Sequence, residues 1–309
     1  MKITALAGGV GGSKLAQGLS EVLPPDDLTI VVNTGDDFRF FGLYICPDID
    51  TVTYTLANLS NPVTGWGVRD DTFNTFETLH RNGSPAWFKL GDRDLATHME
   101  RTRQLADGKT LTDVCRYFNK TWQVKHSILP MTNDPVPTII DTIEFGMLPF
   151  QEYFAKHHCE PTIKQVIFQG MESAQASPAV LDALHASDAV IICPSNPLLS
   201  IDPILALPQI KEILKTKYVA AVSPIIGGKA VKGPLAKMYA EKGIEPNPVT
   251  IAEHYRDFLE CIFIDNQDEN YGKDIQQSGI IFQSTNIMMP DLPNRKRLAQ
   301  TIINYLETI

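Results

Sequence analysis

Near its start the chain runs from an apolar stretch, Ile3-Thr-Ala-Leu-Ala7, into Gly8-Gly-Val-Gly-Gly12, which places four glycines within five positions. A helical pattern carried by Leu15, Leu19, Val22 and Leu23 follows at once. This is the form of a buried strand, a tight turn and a helix N-terminus. Glycines let backbone N–H groups come close to a ligand, and a helix start favours negative charge, so the natural guest is a phosphate. A dinucleotide fingerprint beginning at Gly9 needs glycine at its sixth position, where Lys14 stands, and the Gly-Lys-Ser/Thr of a P-loop is absent. The turn therefore points to a nucleotide or phosphate but to neither of the two commonest families. A turn that merely packs strand on helix is the plain alternative.

The rest of the chain extends the pattern. Leu28-Thr-Ile-Val-Val-Asn33 reads as a second apolar strand, ending in Asn33-Thr-Gly-Asp-Asp37. A helix starts around Pro47–Thr51, with Asp48 or Asp50 near its cap and Val52, Leu56 and Leu59 on one face. Residues 61–123 read as helical, with segments at Thr72–His80, Asp94–Leu105 and Leu111–Asn119. Ser127–Met131, Pro137–Thr142 and Gln151–Lys156 read as shorter extended pieces. Regular alternation resumes with a strand at Lys164–Phe168, a helix at Pro178–His185 and strands at Ala189–Cys193 and Tyr218–Val222. Alternating strands and helices imply an α/β fold: a doubly wound, mainly parallel, Rossmann-like sheet with a helical insertion. The expected division is a Rossmann-like core over residues 1–60 and 124–309 and a helical insertion over 61–123.

Composition narrows the function classes. The 309 residues carry a net charge of −9 with 43% hydrophobic residues, and no Lys/Arg cluster is dense enough for a nucleic-acid patch. No apolar run is long enough to span a membrane, and Gly8–Lys14 interrupts anything resembling a signal peptide, so a cytoplasmic protein is expected. Five scattered cysteines without a C-x-x-C pair read as reduced thiols, not as a disulfide frame or zinc site.

In a parallel sheet, ligands lie beyond the C-terminal ends of the strands. Four such exits are suggestive: Gly8–Lys14, Asn33–Asp37, Pro194-Ser-Asn-Pro197 and Ser223-Pro-Ile-Ile-Gly-Gly-Lys229. Ser195 and Asn196 offer short polar groups for a base or phosphate, and Gly227, Gly228 and Lys229 offer amides and a cation for an anion. Facing them stand Asp36, Asp37, Asp48 and Asp50, with Asp92 and Asp94 further on. Carboxylates beside a phosphate site make sense with Mg²⁺ between them. Taken singly, each acid reads equally well as a helix cap or solvated turn. Asp94 and His98 share a helix face, and a structural hydrogen bond is the expectation there.

The segments Gly8–Gly12, Asn33–Asp37, Cys46-Pro-Asp-Ile-Asp-Thr51 and Trp87-Phe-Lys-Leu-Gly-Asp-Arg-Asp-Leu-Ala-Thr-His98 resemble the 2-phospho-L-lactate transferase family. So do Phe150-Gln-Glu-Tyr-Phe154, Pro194–Pro197 and Ser223–Lys229, in the same order and almost from end to end. The resemblance implies a step in the biosynthesis of the deazaflavin coenzyme factor 420. A 2-phospholactyl (or enolpyruvyl phosphate) group passes from lactyl-(2)-diphospho-(5′)-guanosine to the ribityl hydroxyl of 7,8-didemethyl-8-hydroxy-5-deazariboflavin, with Mg²⁺ required and GMP released. It further implies that Asp50 and Lys89 contact the deazaflavin and that Asp36 holds the metal; the chemistry of the acids themselves adds Asp50 as a second carboxylate on it. Asp50 is also the candidate catalytic residue, as hydroxyl anchor in preference to base, because a free aspartate is a weak base.

In this scheme Gly9, Gly11, Gly12, Ser13, Gly227, Gly228 and Lys229 hold the diphosphate. Asn33, Ser195 and Asn196 orient the guanosine. Trp66, Phe73 and Trp87 wall the flat ring, Trp87 foremost, although aromatic residues at such spacing are commonly helix core. A symmetric dimer is expected. Two other readings compete: a nucleotide-sugar-binding regulatory relative, against which the Trp87–Leu95 segment stands, and a nicotinamide-dependent oxidoreductase, disfavoured by Lys14.

Overall fold

The computed structural model describes residues 1–230 and 233–309. Strand β1 (Ile3–Ala7) passes through Gly8 into α1 (Gly9–Ser20) and returns as β2 (Leu28–Val32). A small antiparallel ribbon, β3 (Phe38–Phe40) and β4 (Leu43–Ile45), leads into α2 (Pro47–Leu56). Helices α3 (Asn74–Arg81), α4 (Asp92–Ala106) and α5 (Leu111–Thr121) follow, and β5 (Ser127–Pro130) then pairs in parallel with β2. Strands β6 (Thr138–Thr142), β7 (Gly146–Pro149) and β8 (Ile163–Phe168) build a separate antiparallel sheet in the order β7-β6-β8.

After α6 (Pro178–Ala186) the chain re-enters the main sheet as β9 (Ala189–Ile192). Helices α7 (Asp202–Ala206) and α8 (Ile210–Leu214) lead to β10 (Tyr218–Val222), and a hairpin of β11 (Ile225–Ile226) and β12 (Lys229–Ala230) follows. Then come α9 (Leu235–Glu241), α10 (Pro248–His254), β13 (Cys261–Asp265), α11 (Gly272–Gln277), β14 (Ile281–Thr285) and α12 (Leu292–Leu306). The main sheet has seven strands in the order β14-β13-β10-β9-β1-β2-β5. Its ladders are all parallel. The expected doubly wound α/β architecture is present.

Strand alternation explains the layering, since successive side chains leave opposite faces. Ile3, Ala5 and Ala7 of β1, with Leu28, Ile30 and Val32 of β2, enter the cluster that α1, α2, α5 and α12 cover. Leu6, Val31, Val190 and Ile192 point the other way, under α6, α8, α9 and α10. Both faces are covered, so the strands read as continuous apolar runs. The four central strands β10, β9, β1 and β2 are in register, with Ala7 opposite Val32 and Leu6 opposite Ile192, so their exits lie side by side.

Three expectations need correction. Lys164–Phe168 is a strand, but it pairs antiparallel with β6 outside the main sheet. Gln151–Lys156 is not extended: Glu152–Lys156 is a π-helical turn, with Tyr153 buried, Phe150 stacked on Phe154 and Lys156 paired with Glu152 at 2.9 Å. Contacts between residues four apart are a helical signature. The main sheet also continues into β13 and β14, strands beyond those expected. Helices occupy 61–123 as expected, although α5 sends Leu111 and Cys115 into the core beneath the sheet. The five cysteines are all free, and only Cys159 among them is not buried. No helix among the described residues is long and apolar enough to cross a membrane.

Candidate active site

The exits of β1 and β9 are locked together. The Gly8 N–H donates to Ser195 Oγ at 3.1 Å, and Ser195 Oγ donates back to the Gly8 carbonyl at 2.8 Å. A Cβ at Gly11 would overlap the Pro194 carbonyl oxygen, so only glycine allows the start of α1 to lie this close to the neighbouring loop. Next to the helix start sits an acid: the Gly9 N–H donates to Asp48 Oδ1 at 2.7 Å. Asn33, at the exit of β2, ties the acids together. Its Nδ2 donates to Asp48 Oδ2 at 2.9 Å and to Asp36 Oδ1 at 3.2 Å.

Asp36 and Asp48 are both buried. Burial pushes Asp36 well above the usual carboxylate range, and the charges of Asp48 and Asp37 push it further. Burial likewise raises Asp48 to about 6. The Asn33 amide donates to both acids, and the Gly9 N–H adds a second donor to Asp48. Asp37 is also raised well above the usual range by burial, partly offset by the hydrogen bond it accepts from Cys46 Sγ at 3.1 Å.

Asp50 has different company. Both of its oxygens are held by the Arg101 guanidinium, with Nη1 at 3.1 Å from Oδ2 and Nη2 against Oδ1. His98 Nδ1 lies 3.6 Å from Asp50 Oδ2 and accepts from Arg101 Nη1 at 3.1 Å, while His98 Nε2 stands 3.3 Å from Asp94 Oδ1. The Tyr54 hydroxyl donates to Asp94 Oδ1 at 2.8 Å. Burial raises Asp50, and Arg101 opposes that rise. Burial also works against the Asp94 charge, but His98 and Tyr54 bring it below the ordinary range.

Gly9, Asp36, Asp48, Asp50, Tyr54, Asp94, His98 and Ser195 line one cavity of about 710 Å³, a size that accommodates substantial ligands. Its lining includes Gly8–Gly11, Asp36, Asp48, Asp50, Asp94 and His98 together with Ser195, Asn196, Ser223 and Pro224. Trp66, Trp87, Phe88, Lys89, Phe150 and Phe154 line it as well. Trp87 is fixed edge-on against Phe40 at 5.0 Å, and Phe88 against Phe38 at 4.9 Å.

The structure thus brings Gly9, Gly11, Asp36, Asp50, Trp87, Lys89, Ser195 and Asn196 together, and it separates others. Gly12 packs against Ala7 and Ser195 without lining the cavity, and Ser13 Oγ donates to the Val10 carbonyl at 3.0 Å in a neighbouring notch. Asn33 is not a guanosine contact at the cavity surface, because its amide lies beneath the acids. Gly227, Gly228 and Lys229 form an exposed turn that does not itself line the cavity, and Gly227 N–H donates to both oxygens of Asp268 at 3.1 and 2.9 Å. An internal carboxylate already fills that anion-friendly turn. Phe73 does not line the cavity but carries Lys89, whose Nζ is 3.8 Å from its ring centroid. Asp92 caps the start of α3, accepting from Asn74 and Thr75 N–H at 3.0 Å each.

Asp50, expected to share a metal, lies with Asp94 and His98 in a group whose ligand atoms are within 4.8 Å of one another, and Arg101 holds both of its oxygens as well. Asp48 stands beside Asp36, with Asn33 between them. Sequence reasoning missed Arg101, although Asp94, His98 and Arg101 follow one another at four and three residues, the spacing of one helix stripe.

A family model described as "2-phospho-L-lactate transferase CofD" matches residues 3–304. The chain belongs to the 2-phospho-L-lactate transferase family. It is an enzyme of that transferase kind. Among its relatives, 2-phospho-L-lactate transferase of Methanosarcina mazei is 39% identical over 96% of this chain and 98% of that protein. The Methanocaldococcus jannaschii protein of the same name is 40% identical over 98% and 97%. Phosphoenolpyruvate transferase of Streptomyces griseus is 37% identical over 100% and 99%. Among solved structures, a member of the UPF0052 family from Bacillus halodurans superposes with a TM-score of 0.64 at 15% identity, covering 98% of this chain and 99% of that one. That likeness extends the fold of this transferase family to a remote group. Within the transferase, the regions that carried the sequence resemblance, from Gly8 to Asn196, converge on the one cavity.

Proposed function

We propose that the chain transfers a 2-phospholactyl or enolpyruvyl phosphate group from a guanosine diphospho-linked donor to the ribityl hydroxyl of 7,8-didemethyl-8-hydroxy-5-deazariboflavin, releasing GMP, in factor 420 biosynthesis. One observation carries this reading: the glycine turn at the start of α1, the buried acids Asp36 and Asp48, and a set of aromatic side chains line a single cavity. The hydroxyl oxygen forms a bond to the phosphorus nearer the lactyl group, the bond from that phosphorus to the GMP oxygen breaks, and the hydroxyl proton leaves with the departing phosphate or to solvent. Such a transfer depends on positioning and charge neutralisation more than on a strong nucleophile.

Gly9 and Gly11, at the start of α1, with Ser195 and Asn196, bind the donor's diphosphate and guanosine. Trp87 and its aromatic neighbours stack the tricyclic ring, and Lys89 reaches its polar edge. Asp50, held from behind by Arg101, anchors the ribityl hydroxyl.

The acids fit Mg²⁺. Asp36 and Asp48 are two buried carboxylates, the charge of Asp48 raises the proton affinity of Asp36, and diphosphate oxygens beside them would supply the remaining hard ligands. Asp36 and Asp48 would hold the ion, and the ion would neutralise charge developing on the diphosphate. A cytoplasmic, symmetric homodimeric enzyme acting on small molecules completes the proposal.

The decisive experiment incubates the purified chain with deazariboflavin and each guanosine donor, with and without Mg²⁺, and follows products by mass spectrometry. The expected result is stoichiometric GMP and the glutamate-free coenzyme precursor, formed only with Mg²⁺. No adduct with either donor would overturn the assignment. Lys89→Ala is expected to raise the KM for deazariboflavin about tenfold with little change in donor KM, as loss of a single charge-assisted contact does. Unchanged saturation by the acceptor would place Lys89 outside its site.

A further inference from the structure

We propose that Arg101 is a positioning residue of the transfer reaction, a buried guanidinium that fixes the direction of the Asp50 carboxylate at the cavity wall. The inference rests on the acceptor-anchoring role given to Asp50 above, and it assigns a task to a residue that does not itself line the cavity.

Arg101 is the largest fully buried side chain among the described residues, at 1% exposure. A cation is placed so deep only at considerable desolvation cost, so its contacts indicate its use. It grips both oxygens of Asp50, a forked geometry that only guanidinium supplies. Its Nη1 also donates to the Tyr44 carbonyl at 3.3 Å and to His98 Nδ1 at 3.1 Å. Its Cζ sits 5.9 Å from the centroid of the Phe118 ring. One side chain thereby links α4, β4, α2 and α5.

The arrangement has a direction. With Nδ1 accepting from Arg101, the ring proton of His98 belongs on Nε2, facing Asp94. Asp94 in turn is held by Tyr54, which comes from the same helix as Asp50. The chain of contacts therefore leaves α2 at Asp50, passes through Arg101, His98 and Asp94 on α4, and returns to α2 at Tyr54. Such a closed circuit leaves the Asp50 carboxylate little freedom to turn. Among the described residues, Asp50, Asp94 and His98 form a group whose ligand atoms lie within 4.8 Å of one another, and the guanidinium contacts two of its three members.

Two variants test the inference: Arg101→Lys, which keeps the charge but loses the fork, and Arg101→Gln, which loses both. Each is assayed for kcat and for both KM values, with thermal melting and GDP titration alongside. The expected outcome is a kcat reduced about 10- to 100-fold in the lysine variant and further in the glutamine variant. Donor KM and GDP affinity should stay within about twofold of wild type. A folded lysine variant with wild-type kcat would overturn the proposal. So would a parallel decline of kcat, GDP affinity and melting temperature, the signature of a merely structural role. Should the lysine variant fail to fold, His98→Leu and His98→Gln decide: leucine cannot accept from the guanidinium and should lower kcat, whereas glutamine can and should restore it. Equal wild-type rates in both would overturn the proposal. Inactivity of the wild-type chain towards both donors would instead refute the function on which it rests.

Discussion

Asp50→Ala is expected to lower kcat by at least about a thousandfold while leaving GDP affinity within about threefold of wild type. The asymmetry follows from geometry. Asp50 stands on α2, held by Arg101 and His98, whereas the proposed donor site is formed by Gly8–Gly11 and the Ser195 loop. Truncating Asp50 removes the group that orients the acceptor hydroxyl and leaves the amides untouched. It has a second effect, because Arg101 would then be a buried cation without its carboxylate, which destabilises a protein by about 3–5 kcal/mol. Urea denaturation measures that loss separately from turnover. Asp50→Asn is the control. It retains an oxygen for the guanidinium and should recover part of the stability but little of the rate. A folded alanine variant with turnover near wild type would remove Asp50 from the reaction.

What the sequence made legible, and what it concealed, follows from the range of the interactions. The parallel core was readable because its strands are buried on both faces. Runs such as Leu28–Val32 and Ala189–Ile192 leave no other interpretation once helices separate them. The convergence of four exits was readable for the same reason, since parallel strands all point one way. Where the reading erred, a contact from a distant element had changed a local meaning. Gly227 and Gly228 have the backbone of an anion site, and only the fold reveals that Asp268, forty-one residues on, already occupies it. Asn33 looked like a base-recognition group until Asp48 and Asp36 were found on its amide. Arg101 reads as one more charge on an amphipathic helix, and nothing near it in the chain announces that Asp50 lies across the interface. Glu152–Lys156 was misjudged on shorter range, because a turn of five residues is too brief for periodicity to declare itself.

The second large effect concerns Asp36. In metal-free protein, Asp36→Asn is expected to raise stability at pH 7.5 by about 1–2 kcal/mol while cutting turnover at least about a hundredfold, the exchange of stability for function typical of a strained site. Asparagine keeps an oxygen to accept from Asn33 Nδ2, yet it removes one of two like charges in a buried space. The pH dependence has a definite sign. Burial raises the folded-state pKa of Asp36 and of Asp48, the latter to about 6, above their unfolded values. The stability these protonated groups confer is therefore fully present below the ordinary aspartate range and is lost as pH rises through the folded values. With EDTA present, the wild-type melting temperature should fall relative to that of Asp36→Asn between about pH 4 and pH 7. Mg²⁺ should restore it for wild type at pH 7.5 and do little at pH 4.5, where protons already compensate the acids. The variant should gain less from Mg²⁺ at either pH. If the two proteins melt in parallel across that window, or if Mg²⁺ leaves the wild-type curve unmoved, Asp36 and Asp48 are not a cation site. Charge on the diphosphate would then have to be balanced by bases that line the cavity, Lys14 and Lys89 among them.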